Sequence, residues 1–439
     1  MQVPLAALTS PLRATLIGAD ATIDRVITDS RLARPGDLFV PLVAERDGHD
    51  FVAAALAAGA TAALSERGTD DLGLDHDARL LLVAHTGAAL NDLARFARDR
   101  MSARVIGVTG SVGKTTVKDL MAGVLGAHLV TSASERSFNN EIGVPLTLCN
   151  APDDVEALVV EMGARGPGHI AALCELAQPQ VGVVTVVAGA HLELFGDLAG
   201  VAVAKGELIE ALPADGTAVL NADDPLVAAM AGRSAAPVLT FGRSSGDVRA
   251  SDVALGDDLR ASFLLTSPWG SAPVRLAIAG EHHVTNALAA AAVALDAGIA
   301  VEALAEALGT STISPWRMEV VTTPGGATLI NDAYNANPTS MSAALTALAA
   351  LPARRKVAVL GEMAELGADA EALHHEMVAQ ARSLDIEVVA VSTGAYGVDG
   401  VQPADAAAAL TSLGEGEAAL VKGSRVAGLE QIVSRVLAG

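Results

Sequence analysis

Between residues 104 and 120 the sequence reads RVIGVTGSVGKTTVKDL, and the middle of this stretch has the residue types that hold a polyphosphate. Backbone N–H groups at the start of a helix lie at the positive end of its dipole and bind phosphate oxygens. A lysine placed there reaches the β- and γ-phosphates, and the hydroxyl that follows can ligate Mg2+. Gly110, Ser111, Val112, Gly113, Lys114, Thr115 and Thr116 are the residues so placed. In the usual pattern four residues separate a first glycine from Gly-Lys-Ser/Thr. That glycine would fall at 108, where the chain has Val108, with its glycines at 107 and 110. Two readings are open: a shortened nucleotide loop, or a glycine-rich turn with an exposed lysine.

The elements that must position these residues favour the loop. Arg104 to Thr109 is an apolar, β-branched strand, and 110–113 is a tight turn. Val117, Leu120, Met121, Val124 and Leu125 then recur at i, i+3, i+4, i+7 and i+8, the apolar face of a helix. After it, buried-strand runs alternate with helices: ALVVEM (157–162), VGVVTVV (181–187) and TAVLNA (217–222), then the helix NALAAAAVALDAG (286–298). Near-continuous apolar strands between helices imply a parallel sheet covered on both faces. A further α/β block begins near 313, with strands ATLINDAY, RKVAVLGEM, IEVVAVS and AALVKG separated by helices, the pattern of a doubly wound sheet. The first hundred residues read as a mixed block, with a strand in DLFVPL and a helix ending in glycine in FVAAALAAGATAAL (51–64). The expected fold is therefore α/β in three domains, 1–102, 103–312 and 313–439.

Bulk properties exclude some functions. The net charge of −22 disfavours a nucleic-acid backbone as partner, although local Lys, Arg and Mg2+ can reverse the field inside one cleft. The longest uncharged apolar runs have about fourteen residues against the roughly twenty of a membrane span. No membrane partner is expected. Cys149 and Cys174 lack metal-type spacing and fit a reducing cytosol. The start, MQVPLAALTSPLRATL, lacks the basic region of a secretory signal, so a cytoplasmic protein is expected.

The form TGSVGKTT resembles the shortened loop of the Mur ligase and folylpolyglutamate synthase superfamily, and further motifs follow in that family's order. DSR–PGDLF (29–39) and DGHDF–A–GA (47–60) resemble its N-terminal domain. FNNEIGVPLTL (138–148), EMGARGPGHI (161–170), AHLELFG (190–196), AKGEL (204–208) and GEHHVTNALAA (280–290) resemble its central domain. RME (317–319), NDAYNANPTSM (331–341), GEMAELG (361–367) and VKGSR (421–425) resemble its C-terminal domain. The resemblance implies an N-terminal UDP-substrate domain, a central ATPase domain and a Rossmann-like C-terminal domain that closes on ATP and the amine substrate. It implies an ADP-forming carboxylate–amine ligase that joins D-Ala-D-Ala to UDP-MurNAc-tripeptide through an acyl phosphate, using ATP and two Mg2+ ions, as a monomer.

The same resemblance implies the roles of single residues. Glu161, at the end of an apolar strand, would ligate Mg2+, though alone it could be a solvated edge charge. His191 would serve a second Mg2+; read alone, a single His is more often structural. Lys205 would be carried as a carbamate, which offers Mg2+ an anionic oxygen where an ammonium would repel it; the plain alternative is a helix-surface lysine. With Lys114 these form the expected catalytic set, and with Thr115 the metal set. Asn286 would contact adenine, Arg317 a phosphate and Asp332 the ribose hydroxyls. Ser30 and Arg31 would anchor the UDP-sugar, and Asn139 and Asn140 would lie near the reacting end, unless paired asparagines merely make a turn. Tyr334, Asn335 and Asn337 would help bind the dipeptide or ATP, both readings being open, and Lys422 is a further candidate for the closed site.

Some positions depart from the family's pattern. His283 stands where an asparagine is usual, Trp316 where a glycine precedes the motif arginine, and Val186 and Ala188 where an asparagine and a glycine precede His191. Rival readings are another amide ligase of the superfamily, a nucleotide-binding regulator without catalysis, and a P-loop kinase. The absence of a DNPR-type motif, with NANPTSM in that region, argues against the ligase that adds a diamino acid.

Overall fold

In the computed structural model, which describes residues 1–189 and 195–438, the chain forms two compact units. One comprises Met1–Gly107, Leu129–Gly163 and Ile170–Gln180; the other comprises Val108–His128, Ala164–His169 and Val181–Gly439.

After a short strand at Val3–Pro4 and a helical turn at Leu5–Leu8, the first unit has strands β1 (Thr15–Ile17), β2 (Arg25–Ile27) and β3 (Asp37–Phe39), helix α1 (Val52–Ala57), strands β4 (Ala62–Ser65) and β5 (Leu80–Leu82), and helix α2 (Thr86–Asp99). Its sheet runs β1-β5-β4-β3-β2, parallel except for β1 against β5. Phe39, Ala63 and Leu80 bury one face under Val52 and Ala55 of α1. Strand β6 (Arg104–Thr109) then leads to helix α3 (Lys114–Gly126). The chain returns to the first unit with β7 (Thr131–Ala133), helix α4 (Gly143–Asn150) and β8 (Ala157–Glu161), which pairs parallel with β7. Asn150 at the end of α4 bonds both main-chain groups of Val26, accepting at 2.8 Å and donating at 2.9 Å, and so holds β2.

The second unit continues with β9 (Val181–Val184), helix α5 (Leu198–Glu210), β10 (Thr217–Asn221), β11 (Val238–Gly242), β12 (Val248–Leu255), β13 (Arg260–Ser267), β14 (Gly270–Ala279), and helices α6 (His283–Asp296) and α7 (Val301–Leu308). Strands β9 to β12 are parallel neighbours; the buried apolar runs predict β9 and β10, and β11 and β12 are additions. An unanticipated antiparallel meander, β12-β13-β14, extends them. Its strands alternate buried and exposed positions, the pattern of a sheet with one wet face. Helix α6 is buried along nearly its whole length, and its alanines let it pack closely against α3.

The last sheet has β15 (Glu319–Thr322), β16 (Thr328–Asn331), helix α8 (Pro338–Ala350), β17 (Arg355–Leu360), helix α9 (Ala370–Ser383), β18 (Glu387–Val391), β19 (Gly400–Val401), helix α10 (Pro403–Thr411), β20 (Glu417–Lys422) and helix α11 (Glu430–Ala438). Its order is β15-β16-β20-β17-β18-β19, parallel except at β15. Ile330, Ala358, Leu360 and Leu420 bury one face under α8 and α9. Leu329, Val357, Val359 and Val421 bury the other under α10 and α11. Apolar residues at successive positions of a strand, which point to opposite faces, thus account for the doubly wound form. Among the described residues no helix is long and apolar enough to cross a membrane.

Candidate active site

The glycine loop joins β6 to α3. Gly113 stands at φ +87° before the helix, and Gly110 at φ +150°. Both lie in backbone that side chains rarely adopt, and both are crowded. A Cβ at 110 would sit 1.9 Å from Thr185 Oγ1, and one at 113 would sit 2.6 Å from Asn286 Oδ1. The loop is tied down from the carboxyl ends of the neighbouring strands. Thr185 Oγ1 donates to the Val112 carbonyl at 2.6 Å, and Asn221 Nδ2 donates to the Thr185 carbonyl at 2.8 Å. Ser111 N donates to the Val186 carbonyl at 2.7 Å, while its hydroxyl donates to the Ala188 carbonyl at 2.9 Å. Thr185 and Asn221 escape a reading based on apolar runs; a polar residue ending each buried strand is the available signal. Val186 and Ala188 meet the loop through main-chain atoms, so these contacts do not depend on their side chains.

Lys114, at the helix start, donates to the Gly110 carbonyl at 2.7 Å. Lys205 lies on the inner side of α5, only 5% exposed. Burial, and then the charge of Lys114, holds its amine well below the ordinary lysine range. Both effects disfavour a second ammonium in this place. The adjoining Gly206 admits Arg233, whose guanidinium donates to the carbonyls of Ala202 and Val203; a Cβ at 206 would sit 1.8 Å from Arg233 Nη1.

In the first unit Glu161 ends β8 almost fully buried, and Asn139 Nδ2 donates to its Oε1 at 2.8 Å. Asn140 Oδ1 accepts from Gly143 N at 2.9 Å at the start of α4. Both asparagines thus have local hydrogen bonds, and Asn139 also orients a carboxylate. Ser30 and Arg31 lie in a 3-10 turn; Arg31 is largely exposed and pairs with Asp29 at 2.7 Å. His191 lies outside the described residues.

The start of α6 gathers the remaining residues of the second unit. Asn286 Nδ2 lies 3.0 Å from His283 Nδ1. The charge of Arg317 acts on His283, and those of Asp332 and Lys422 act on His282. Arg317 stacks on Tyr334, its Cζ 4.1 Å from the ring centroid. Lys422, buried at the end of β20, donates to Asp332 Oδ2 at 2.5 Å and to the Asn335 carbonyl at 2.9 Å. Asn337 forms a capping box with Ser340 at the start of α8. The structure therefore brings the loop, Asn286, Arg317, Tyr334, Asp332 and Lys422 into one neighbourhood.

The GEMAELG stretch follows β17 and is held from several elements. Tyr396 Oη donates to the Gly361 carbonyl at 2.8 Å, Met363 N donates to His374 Nε2 at 2.9 Å, and Ala364 N donates to Ser424 Oγ at 2.8 Å. Tyr396, His374 and Ser424 lie far apart in sequence, and no local pattern marks them.

Fold and loop together define an α/β protein with a phosphate-binding loop between a sheet strand and a helix. Comparison with known proteins narrows this. The Mur ligase middle domain matches residues 108–294, and the Mur ligase, glutamate ligase domain matches residues 316–438. The UDP-N-acetylmuramoyl-tripeptide–D-alanyl-D-alanine ligase of Mycobacterium tuberculosis (strain ATCC 25618 / H37Rv) is 42% identical, over 93% of this chain and 91% of that protein. A crystal structure of MurF from Acinetobacter baumannii superposes with a TM-score of 0.89 at 31% identity, covering 100% of this chain and 99% of that one. MurF ligase from Thermotoga maritima in complex with ADP superposes with a TM-score of 0.81 at 30% identity, covering 94% and 97%. The chain belongs to the Mur ligase family.

Proposed function

We propose that this chain joins D-alanyl-D-alanine to UDP-N-acetylmuramoyl-tripeptide in the cytoplasm, with ATP converted to ADP and phosphate, as a step of peptidoglycan precursor synthesis. One observation carries the reading: a short glycine loop with Lys114 at its helix start and a buried lysine beside it, in a chain that matches ligases of this name over most of its length. The ADP held by the Thermotoga maritima relative supports ATP as the nucleotide.

The substrate's terminal carboxylate takes the γ-phosphoryl group, and the dipeptide amine attacks the acyl phosphate, expelling phosphate. Several anions must meet, so positioning and charge neutralisation are the main tasks. Loop N–H groups and Lys114 hold the phosphates, Asn286 meets adenine, Arg317 a phosphate and Asp332 the ribose. Tyr334, Asn335, Asn337 and Lys422 shape the closed site, Asn139 and Asn140 the reacting end, and Ser30 and Arg31 the UDP-sugar end. We assign these roles to three domains, 1–102, 103–312 and 313–439, acting as a monomer.

Mg2+ takes oxygen ligands. Among the described residues no group of three or more His, Cys, Asp and Glu side chains could hold a metal. Thr115 and Glu161 nevertheless offer buried oxygens, and Lys205, held toward its neutral form, is the state of an amine that adds CO2 to give a carbamate oxygen. With His191 these residues would hold two Mg2+ ions, which supply charge neutralisation for phosphoryl transfer.

The test is phosphate release from ATP with pure substrates. Release that requires both UDP-MurNAc-tripeptide and D-Ala-D-Ala is expected. Release with a folate, or with a single amino acid in place of the dipeptide, would overturn the assignment.

A further inference from the structure

His283 occupies the position where the family's pattern has an asparagine, and the structure gives the imidazole a defined arrangement. It is 3% exposed at the first position of α6. Gly280, at φ +114°, makes room for it: a Cβ there would lie 2.7 Å from His282 Cε1 and 3.3 Å from His283 Cδ2. With Asn286 Nδ2 donating across 3.0 Å, His283 Nδ1 is the acceptor and the ring proton resides on Nε2. The Asn286 amide is thereby fixed with its oxygen turned toward Gly113, where a Cβ would meet it at 2.6 Å.

That leaves His283 Nε2–H as a buried donor with no hydrogen-bond partner among the described residues, and the buried Nε of Arg317 is another. A buried donor left unpaired destabilises the fold, so such a group calls for an explanation. The charge of Arg317 reaches His283, so the two donors belong to one region. Gly113 and Asn286 connect that region to the loop that would carry the phosphates. A nucleotide is rich in acceptors and can pair with these two donors, whereas the N–H groups of an incoming amine cannot.

We propose that His283 is a nucleotide-positioning residue of this chain: its Nδ1 sets the orientation of the Asn286 amide, and its Nε2–H donates to an acceptor of the bound nucleotide. The inference rests on the nucleotide site proposed above and adds a residue to it. In this arrangement the histidine supplies both an acceptor for Asn286 and a donor for the ligand, as the side-chain amide it replaces could.

The test uses full-length protein labelled with [15N]histidine, with ADP as the probe. Long-range 15N–1H spectra, with His283 assigned by its loss in His283→Asn, should show the Nε2–H tautomer, and saturating ADP should shift that signal. By calorimetry, His283→Asn should keep ADP affinity within about threefold, and His283→Phe should lose about tenfold, the scale of one buried hydrogen bond. An Nδ1–H tautomer in the free protein, an Nε2–H signal unmoved by bound ADP, or wild-type affinity in a folded His283→Phe would overturn the proposal. If His283→Phe fails to fold, the tautomer and the ADP shift of the wild-type protein still decide it. Absence of ADP binding to wild-type protein would remove the nucleotide site itself, and this inference with it; binding without the shift removes only the role of His283.

Discussion

At position 110 an alanine Cβ would lie 1.9 Å from Thr185 Oγ1, in backbone at φ +150° that L-residues rarely adopt. Relief would have to come from the loop or from Thr185, which also braces the Val112 carbonyl. Gly110→Ala should therefore lower ADP affinity at least about tenfold and cost on the order of 1–3 kcal/mol in stability. Calorimetry and urea unfolding check both, and wild-type affinity in a folded variant would separate loop geometry from nucleotide binding. Lys205 makes a different demand, since its chemistry rather than its shape is at issue. Lys205→Ala should cut ligation by at least about 100-fold, the scale of losing one preorganised electrostatic group, while ADP still binds. Near-normal turnover would take Lys205 out of the mechanism. The loop is legible in the sequence because glycine, lysine and threonine stand at a strand-to-helix junction with helical periodicity behind them. The burial of Lys205 is not legible, because AKGEL alone reads equally well as a solvated helix surface. Only the packing of α5 in its unit decides that side chain's environment.

At the level of elements, long apolar strands and periodic helices are readable because each signal is local. The meander β12-β13-β14 is missed for the converse reason: its alternating residues match a one-sided sheet, not the buried parallel strands on either side of it in sequence. The start of α6 shows what packing adds. Burial depresses His282 to about 4, with Asp332 and Glu281 opposing and Lys422 adding to the shift. Burial, then His282 and Arg317, holds His283 well below the ordinary histidine value. Between about 4 and the ordinary 6.5 the unfolded chain therefore binds a proton at 282 that the folded chain refuses. Stability then rises with pH through this window, is complete above it, and falls as pH drops toward 4. His283 contributes with the same sign. Urea midpoints measured at pH 7 and pH 5 should fall at the lower pH, and by less in His282→Asn. An equal fall in the variant would place the titration elsewhere.

At the scale of the molecule, the segment between α7 and β15 joins the two sheets of the second unit and aims Arg317. Asp119 of α3 holds the approach, accepting from Ser314 N at 2.7 Å, and Asp332 holds the exit, accepting from Met318 N at 3.1 Å. Between them Trp316 and Met318 adopt left-handed backbone, φ +62° and +49°, on either side of Arg317. A tryptophan thus stands in a conformation that glycine adopts freely. Arg425 lies over the indole, its Cζ 4.9 Å from the ring centroid, a contact of about 0.5–1 kcal/mol at an exposed site. This is similar in size to the roughly 1–2 kcal/mol that a side chain adds to left-handed backbone. The two substitutions that delete the indole should therefore differ. Trp316→Gly loses the stack and also the strain, and should unfold within about 1 kcal/mol of wild type, because glycine's freer unfolded chain offsets part of the relief. Trp316→Ala loses the stack and keeps the strain, and should be less stable than Trp316→Gly by about 1 kcal/mol. Urea unfolding of the three proteins measures the difference. If alanine proves as stable as glycine, the left-handed turn is not what holds Arg317 against Tyr334, and the aim of that arginine must come from the sheets alone.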